Sequence, residues 1–356
     1  MAQPRIVIIG GGSVGWTPRI VRDMLLTPSL AGAEYVLYDI DRSAADLTKA
    51  YLDQLADVLG CTATFTATDQ RARAFRGADY FVITISTGGF NAMAHDLAIP
   101  EDYGIYHTVG DSVGPGGWAR TIRNFDVFVD LAEAMRTYAP GSVVLNYTNP
   151  MTTLTGVLAA LHDGPVVGLC HGLFENLRFL MEFYKLDSED DLAVQYAGLN
   201  HFFWLTAARA RGRDLLADLR RRMKRRSLSE LLHDTYQDPA GFESNRAVAD
   251  ELFRLTGVMP YFGDRHTCEC FPQYITSKAN LKAYKIVRTS IDDRRQMRRK
   301  GRANLRRIVR QGVEGPFERS RETAADIIDA HVRGRTFIDV GNVPNVGQIE
   351  NLPRGL

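Results

Sequence analysis

Runs of adjacent apolar, β-branched-rich residues recur along the first half of the chain: Arg5–Ile9, Tyr35–Asp39, Asp79–Ile85, Ser142–Tyr147 and Pro165–Leu169. Consecutive apolar positions of this length suit strands covered on both faces, as in a parallel sheet. Between them lie helix-like segments, including one ending near Leu26, one from Thr121 to Tyr138 and one after Pro150. This alternation predicts an α/β fold, a Rossmann-like doubly wound parallel sheet with right-handed crossovers. Past about Tyr196 the pattern changes. Arginine-rich helical stretches at 211–226 and 294–310 and a turn-prone Asp238-Pro239-Ala240-Gly241 point to a C-terminal α+β region. The expected division is a dinucleotide-binding domain over 1–195 and a substrate, metal and oligomerisation domain over 196–356.

The first strand runs directly into Gly10-Gly11-Gly12-Ser13-Val14-Gly15. Glycines at 10, 12 and 15 let backbone approach a pyrophosphate and set it, with Ser13, on the positive end of the next helix. The second strand ends in Asp39, where an acid would hold a ribose hydroxyl, with Asp41 in reserve. An acid there repels a 2′-phosphate, so NAD is expected over NADP. Ligands in such sheets sit beyond the carboxyl ends of strands, where Ser86, Asn149-Pro150 and Cys170-His171-Gly172 all fall.

Composition narrows the partners. With 43 Lys and Arg against 42 Asp and Glu in 356 residues, the chain is not a polyelectrolyte binder. The arginine runs lack interleaved aromatics and read as solvated helix faces or a subunit contact, so no nucleic-acid partner is expected. No stretch approaches the roughly 20 apolar residues of a membrane span, and Met1–Ile9 leads straight into a strand, so the expectation is a cytoplasmic protein without membrane association. Four cysteines are too few for a disulfide scaffold, and Cys268-x-Cys270 has poor spacing for zinc, so these two read as ordinary thiols.

Two further words, Cys170-His171-Gly172 and Gly198-Leu199-Asn200-His201, offer a soft metal-ligand pair downstream of the nicotinamide fingerprint. Together with Gly110-Asp111-Ser112-Val113-Gly114-Pro115-Gly116-Gly117 and Asn146-Tyr147-Thr148-Asn149-Pro150-Met151, they make the chain resemble, nearly end to end, family 4 of the glycoside hydrolases. Those are NAD- and manganese-dependent glycosidases with a fold similar to lactate and malate dehydrogenases.

The resemblance implies hydride removal from sugar C3 by NAD, loss of the acidified C2 proton to a base, elimination at C1, water addition and hydride return. A divalent ion, typically Mn²⁺, would stabilise the enediolate. Cys170 and His201 match the metal ligands, and Asn149 and Asn200 the sugar-contacting amides. Asp111 stands where many members carry a glutamate proposed as the acid for the leaving group. Candidates for the C2 base are Tyr261, Asp264 and His266, with Asp264 favoured. His266-x-x-Glu269 resembles a word of the clade acting on unphosphorylated sugars and would complete or brace the site. His171, after the metal cysteine, resembles the α-glucosidase, α-galactosidase and α-uronidase branch. Within it, Gly263-Asp264-Arg265-His266 resembles α-galacturonidase-like members, with Arg265 able to pair with a uronate carboxylate. A small carbohydrate substrate and a homodimer or homotetramer are expected. The family normally continues beyond the segment that ends at Leu356. The alternatives are an α-galactosidase or α-glucosidase of the same family, a 2-hydroxy-acid dehydrogenase using His201 with Arg120 or Arg123, and an inactive NAD-binding relative.

Overall fold

A computed structural model describes residues 3–232 and 246–355, so the Asp238–Gly241 turn lies outside the described residues. The chain forms two compact units, Met1–Phe90 with Thr121–Cys170 and Ile291–Leu356, and Asn91–Arg120 with His171–Ser290. Compactness therefore divides the chain differently from a single cut after residue 195. The last stretch returns to the first unit.

The first unit holds β1 (Arg5–Ile9), β2 (Glu34–Tyr38), β3 (Thr64–Thr68), β4 (Tyr80–Ile83), β5 (Val143–Asn146) and β6 (Val166–Gly168). They form one six-stranded sheet in the order β3-β2-β1-β4-β5-β6. Every pairing is parallel, with Ile6 opposite both Tyr35 and Tyr80. This is the doubly wound order expected, with the strand order reversing beside β1.

Alternation across β1 explains the two cores. Ile6 and Ile8 face one apolar layer with Tyr35, Leu37, Val82 and Leu145, packed under α1 (Thr17–Leu25) and α2 (Arg42–Leu59). Val7 and Ile9 face the other, with Phe81, Phe128 and Leu154. Each fully buried aliphatic contributes about 1.5–3 kcal/mol, so a one-residue register slip in β1 is strongly opposed.

The edge strand β3 was not among the expected ones. Its Thr-Phe-Thr-Ala-Thr sequence carries only Phe65 and Ala67 as apolar positions, and the Tyr35 ring stacking on Phe65 at 5.2 Å anchors it. The C-terminal stretch adds the basic helix Ile291–Gln311, with only Leu305 buried, docked to α2 through Gln54 Nε2 donating to the Val309 carbonyl. It also adds Asn342, which exchanges backbone hydrogen bonds with Gly168 of β6.

The second unit is built on an antiparallel hairpin, β7 (Ala193–Leu199) and β8 (Phe202–Ala210), extended by β9 (Arg213–Asp214) and β10 (Met259–Pro260). Val248, Leu252, Cys268, Tyr274, Ile275 and Leu281 form an apolar core. Among the described residues no helix is long and apolar enough to cross a membrane.

Candidate functional site

In the first unit the dinucleotide loop is shaped by close backbone contact. A Cβ on Gly12 would lie 2.5 Å from the Ala44 Cβ and 2.9 Å from Asp39 Oδ2. The Gly12 N–H donates to that same Asp39 oxygen at 2.8 Å, and the Asp41 N–H donates to Asp39 Oδ1 at 2.9 Å. Asp39 is thus oriented by two amides at the end of β2, and each carboxylate oxygen retains a second lone pair for a ribose hydroxyl. Asp41, the reserve, caps α2 instead by accepting from the Ala44 N–H, and Arg302 pairs with it at 3.5 Å. Ser13 donates its amide to the Gly10 carbonyl, and Gly15 faces open space. Ser86, Asn149 and Cys170 follow β4, β5 and β6, at the carboxyl edge shared with the glycine loop.

In the second unit, Asp111, His201 and His266 each offer a ligand atom within 4.8 Å of the others. His201 occupies the two-residue turn between β7 and β8 with φ +60°, a left-handed conformation uncommon outside glycine. The turn is tight because Gly198, at φ +140°, places its Cα where a Cβ would meet the Phe202 carbonyl oxygen at 2.3 Å. The His201 ring stacks on His266 at 3.7 Å and on Tyr261 at 5.9 Å, and the Asp111 carboxylate lies 3.9 Å from His266 Nδ1. Burial above all, helped by nearby His171, holds the His201 pKa down at about 4, although Asp111 and Glu269 pull the other way. The ring is therefore neutral near pH 7, as a metal-ligating imidazole must be. The neutral His201 imidazole is a nitrogen donor suited to a divalent ion such as Mn²⁺, so it fits the implied metal, and Asp111 and His266 lie close enough beside it to move protons there.

Sequence reasoning missed Ser112. Its hydroxyl lies 2.8 Å from His201 Nδ1 and donates to Asp111 Oδ1 at 3.0 Å. Glu269 was seen only as part of a word. One of its oxygens accepts from the amides of Thr108, Val109 and Gly110 at 2.7, 2.8 and 2.9 Å and from the Thr108 hydroxyl at 3.0 Å. The same oxygen lies 3.2 Å from His107 Nδ1, while His107 Nε2 accepts from the Gly116 N–H. That bonding makes His107 a neutral Nδ1–H tautomer bracing the turn that carries Asp111.

Asp264 is 3 % exposed, and its two oxygens accept from the Val248 and Ala249 amides that open the helix Ala247–Thr256. Burial raises its pKa to about 6 against the attraction of Arg246. Arg265 donates to the Thr289 hydroxyl, Asn200 precedes His201 in the hairpin turn, and His171 precedes the helix Gly172–Tyr184.

Comparisons with known proteins place these features in a family. The model of the family 4 glycosyl hydrolases matches residues 5–185, and that of their C-terminal domain residues 196–356. An alpha-galacturonidase of Bacillus subtilis is 34% identical over 99% of this chain and 79% of its own length. An alpha-galactosidase of the same organism is 30% identical over 98% of the chain and 78% of its own length. A Bacillus subtilis crystal structure described as a glucosidase superposes with a TM-score of 0.87 at 32% identity, covering 99% of this chain and 82% of that one. A 6-phospho-alpha-glucosidase from gut microorganisms, crystallised with NAD and Mn²⁺, shares the fold at a TM-score of 0.77 and 21% identity, over 99% of this chain and 80% of its own.

Proposed function

The chain belongs to family 4 of the glycosyl hydrolases, and from that premise we propose that it cleaves unphosphorylated α-glycosides, α-galacturonides first among them, using NAD and a divalent metal. The observation that carries this reading is the convergence of Asp111, His201 and His266 from distant parts of the sequence. NAD, when bound, supplies reversible hydride removal at sugar C3, and the ion supplies stabilisation of negative charge on the adjoining oxygens.

The chain's own residues do the rest. The glycine loop from Gly10 to Gly15, with Asp39 and Ser86, binds and orients the dinucleotide. His201 would hold the ion through a neutral imidazole, with Cys170 as second ligand on the strength of the family resemblance. Asp111 delivers a proton to the leaving oxygen. His266 is the favoured base for the C2 proton, with Tyr261 stacked alongside. It displaces Asp264 from first place because His266 belongs to the cluster with Asp111 and His201, whereas the buried Asp264 carboxylate is turned to the amides that open the helix Ala247–Thr256. Asn149, Asn200 and His171 contact the sugar, and Arg265 meets a uronate carboxylate.

A homodimer or homotetramer in the cytoplasm accords with three exposed apolar side chains on one helix stripe, Trp118, Ile122 and Phe125.

The test is incubation with NAD, Mn²⁺ and α-galacturonides, α-galactosides or α-glucosides in D₂O, followed by NMR. Sugar release with deuterium at C2 is expected, foremost from the galacturonide. Release without deuterium overturns the elimination route, and accumulation of NADH without sugar release assigns the protein to the dehydrogenases.

A further inference from the structure

We propose that Ser112 is a positioning residue that fixes which nitrogen of His201 faces the metal, through the hydrogen-bonded series Asp111–Ser112–His201. The proposal rests on the reading that His201 holds the ion. A serine hydroxyl has one proton, and in the resting, metal-free site, where Asp111 is an ionised carboxylate and can only accept, that proton goes to Asp111 Oδ1 at 3.0 Å. The remaining contact, 2.8 Å to His201 Nδ1, is then a hydrogen bond only if the imidazole donates. The proton of the neutral ring resides on Nδ1, and the ligating lone pair on Nε2.

The opposite tautomer would set the Nδ1 lone pair against a hydroxyl oxygen whose proton is already committed. In a site as buried as His201, such a clash is poorly screened. The carboxylate end of the series also makes the imidazole a stronger donor toward an ion, as carboxylate partners of metal-ligating histidines do.

Two features of the chain hold Ser112 at this post. A Cβ on Gly117 would come within 2.6 Å of the Ser112 carbonyl carbon, so the following helix start packs directly on the Ser112 backbone. The Glu269 carboxylate grips the amides of residues 108–110 just upstream. The left-handed backbone at His201, φ +60°, in the two-residue turn fixes where its imidazole leaves the chain.

Two readouts test this without relying on turnover. In ¹⁵N-labelled, metal-free full-length protein, the His201 imidazole should give the Nδ1–H pattern, and Ser112→Ala should shift it toward Nε2–H or a mixture. Mn²⁺ affinity, read from the EPR signal of free ion, should fall about 10–100-fold in Ser112→Ala and recover in Ser112→Thr, which keeps the hydroxyl. Retained NAD binding and an unchanged melting profile establish that each variant is folded; should Ser112→Ala not fold, the wild-type tautomer and the Ser112→Thr affinity decide. A wild-type Nε2–H pattern, or a Ser112→Ala affinity equal to wild type, overturns the proposal. If His201→Ala binds Mn²⁺ as tightly as wild type, the reading of His201 as ligand fails, and this role fails with it; loss in His201→Ala but not in Ser112→Ala overturns the positioning role alone.

Discussion

The two units carry their chemistry in opposite ways. In the first, the dinucleotide loop is written in adjacent residues, Gly10 to Gly15, and its one long-range partner, Asp39, is brought in by neighbouring strands of a parallel sheet. In the second, Asp111, His201 and His266 come from three separate segments, joined by side chains that bond across large sequence separations. Where the backbone builds the site, the tolerance is steric. Where side chains build it, the tolerance is electrostatic and depends on buried polar groups being satisfied.

The sharpest test of the steric half is Gly12→Val. The added branched side chain would enter the space of the Ala44 Cβ and Asp39 Oδ2, at 2.5 and 2.9 Å, and displace both the start of α2 and the Asp39 carboxylate. NAD affinity measured by calorimetry should fall by more than about 100-fold, equivalent to about 3 kcal/mol. Unchanged affinity would show that the loop is not the cofactor cradle and would break the comparison outright.

The electrostatic half is probed at Glu269. Removing this carboxylate in Glu269→Ala leaves the amides of Thr108, Val109 and Gly110 and the His107 Nδ1–H unsatisfied in a buried place. A loss of about 3 kcal/mol in denaturant unfolding is expected. Glu269→Gln, which retains an acceptor oxygen, should recover part of it. A loss below about 0.5 kcal/mol in Glu269→Ala would mean that the 107–112 turn is held by other contacts.

How far each half could be read from sequence follows from the same difference. The six-residue glycine word, the strand alternation and the acid after β2 are local, and the six-stranded parallel sheet bears out the alternation except at β3. There two apolar residues among threonines give too weak an alternation, and the strand exists because the Tyr35 and Phe65 rings stack. In the second unit the words around Asp111, His201 and His266 were visible, but their meeting was not. Ser112 was quoted inside a glycine-rich word, yet its partner lies 89 residues away. Glu269 could equally have completed the site or braced it, and only its bonds to residues 107–110, about 160 positions upstream, show the bracing. The single domain cut could not be foreseen to differ from the compact units because the return of residues 291–356 to the first sheet depends on contacts such as Asn342 with Gly168.

Acid should separate the halves next. His201 ordinarily would titrate at 6.5 but in the fold does so at about 4. Its depressed value means that the unfolded chain takes up a proton first, so its contribution is fully present above pH 6.5 and is lost as pH falls toward 4. At pH 5 the loss is about 2 kcal/mol. Asp264 acts with the opposite sign: burial lifts it from 3.8 to about 6, so its ionisation opposes folding as pH rises through that window. Comparing His201→Gln with wild type isolates the histidine. The variant should lose less stability than wild type between pH 7 and pH 5, and parallel curves would show that the imidazole is not held neutral by burial.

The smallest expected effect returns to the first unit and asks whether its acids divide labour as their contacts indicate. Asp41 accepts from the Ala44 N–H at the start of α2 and receives the Ser43 hydroxyl at 2.6 Å, whereas Asp39 faces the glycine loop. Asp41→Ala should therefore cost about 1 kcal/mol in unfolding free energy, the scale of a lost helix cap, with NAD affinity within about twofold of wild type. Asp39→Asn should instead weaken NAD about tenfold, its single oxygen keeping an acceptor for only one of the Gly12 and Asp41 amides. If Asp41→Ala weakened NAD more than Asp39→Asn, the ribose would belong to Asp41. The first unit's site would then depend on a loop side chain beyond β2, and the contrast between a site made by local backbone and one made by distant side chains would narrow.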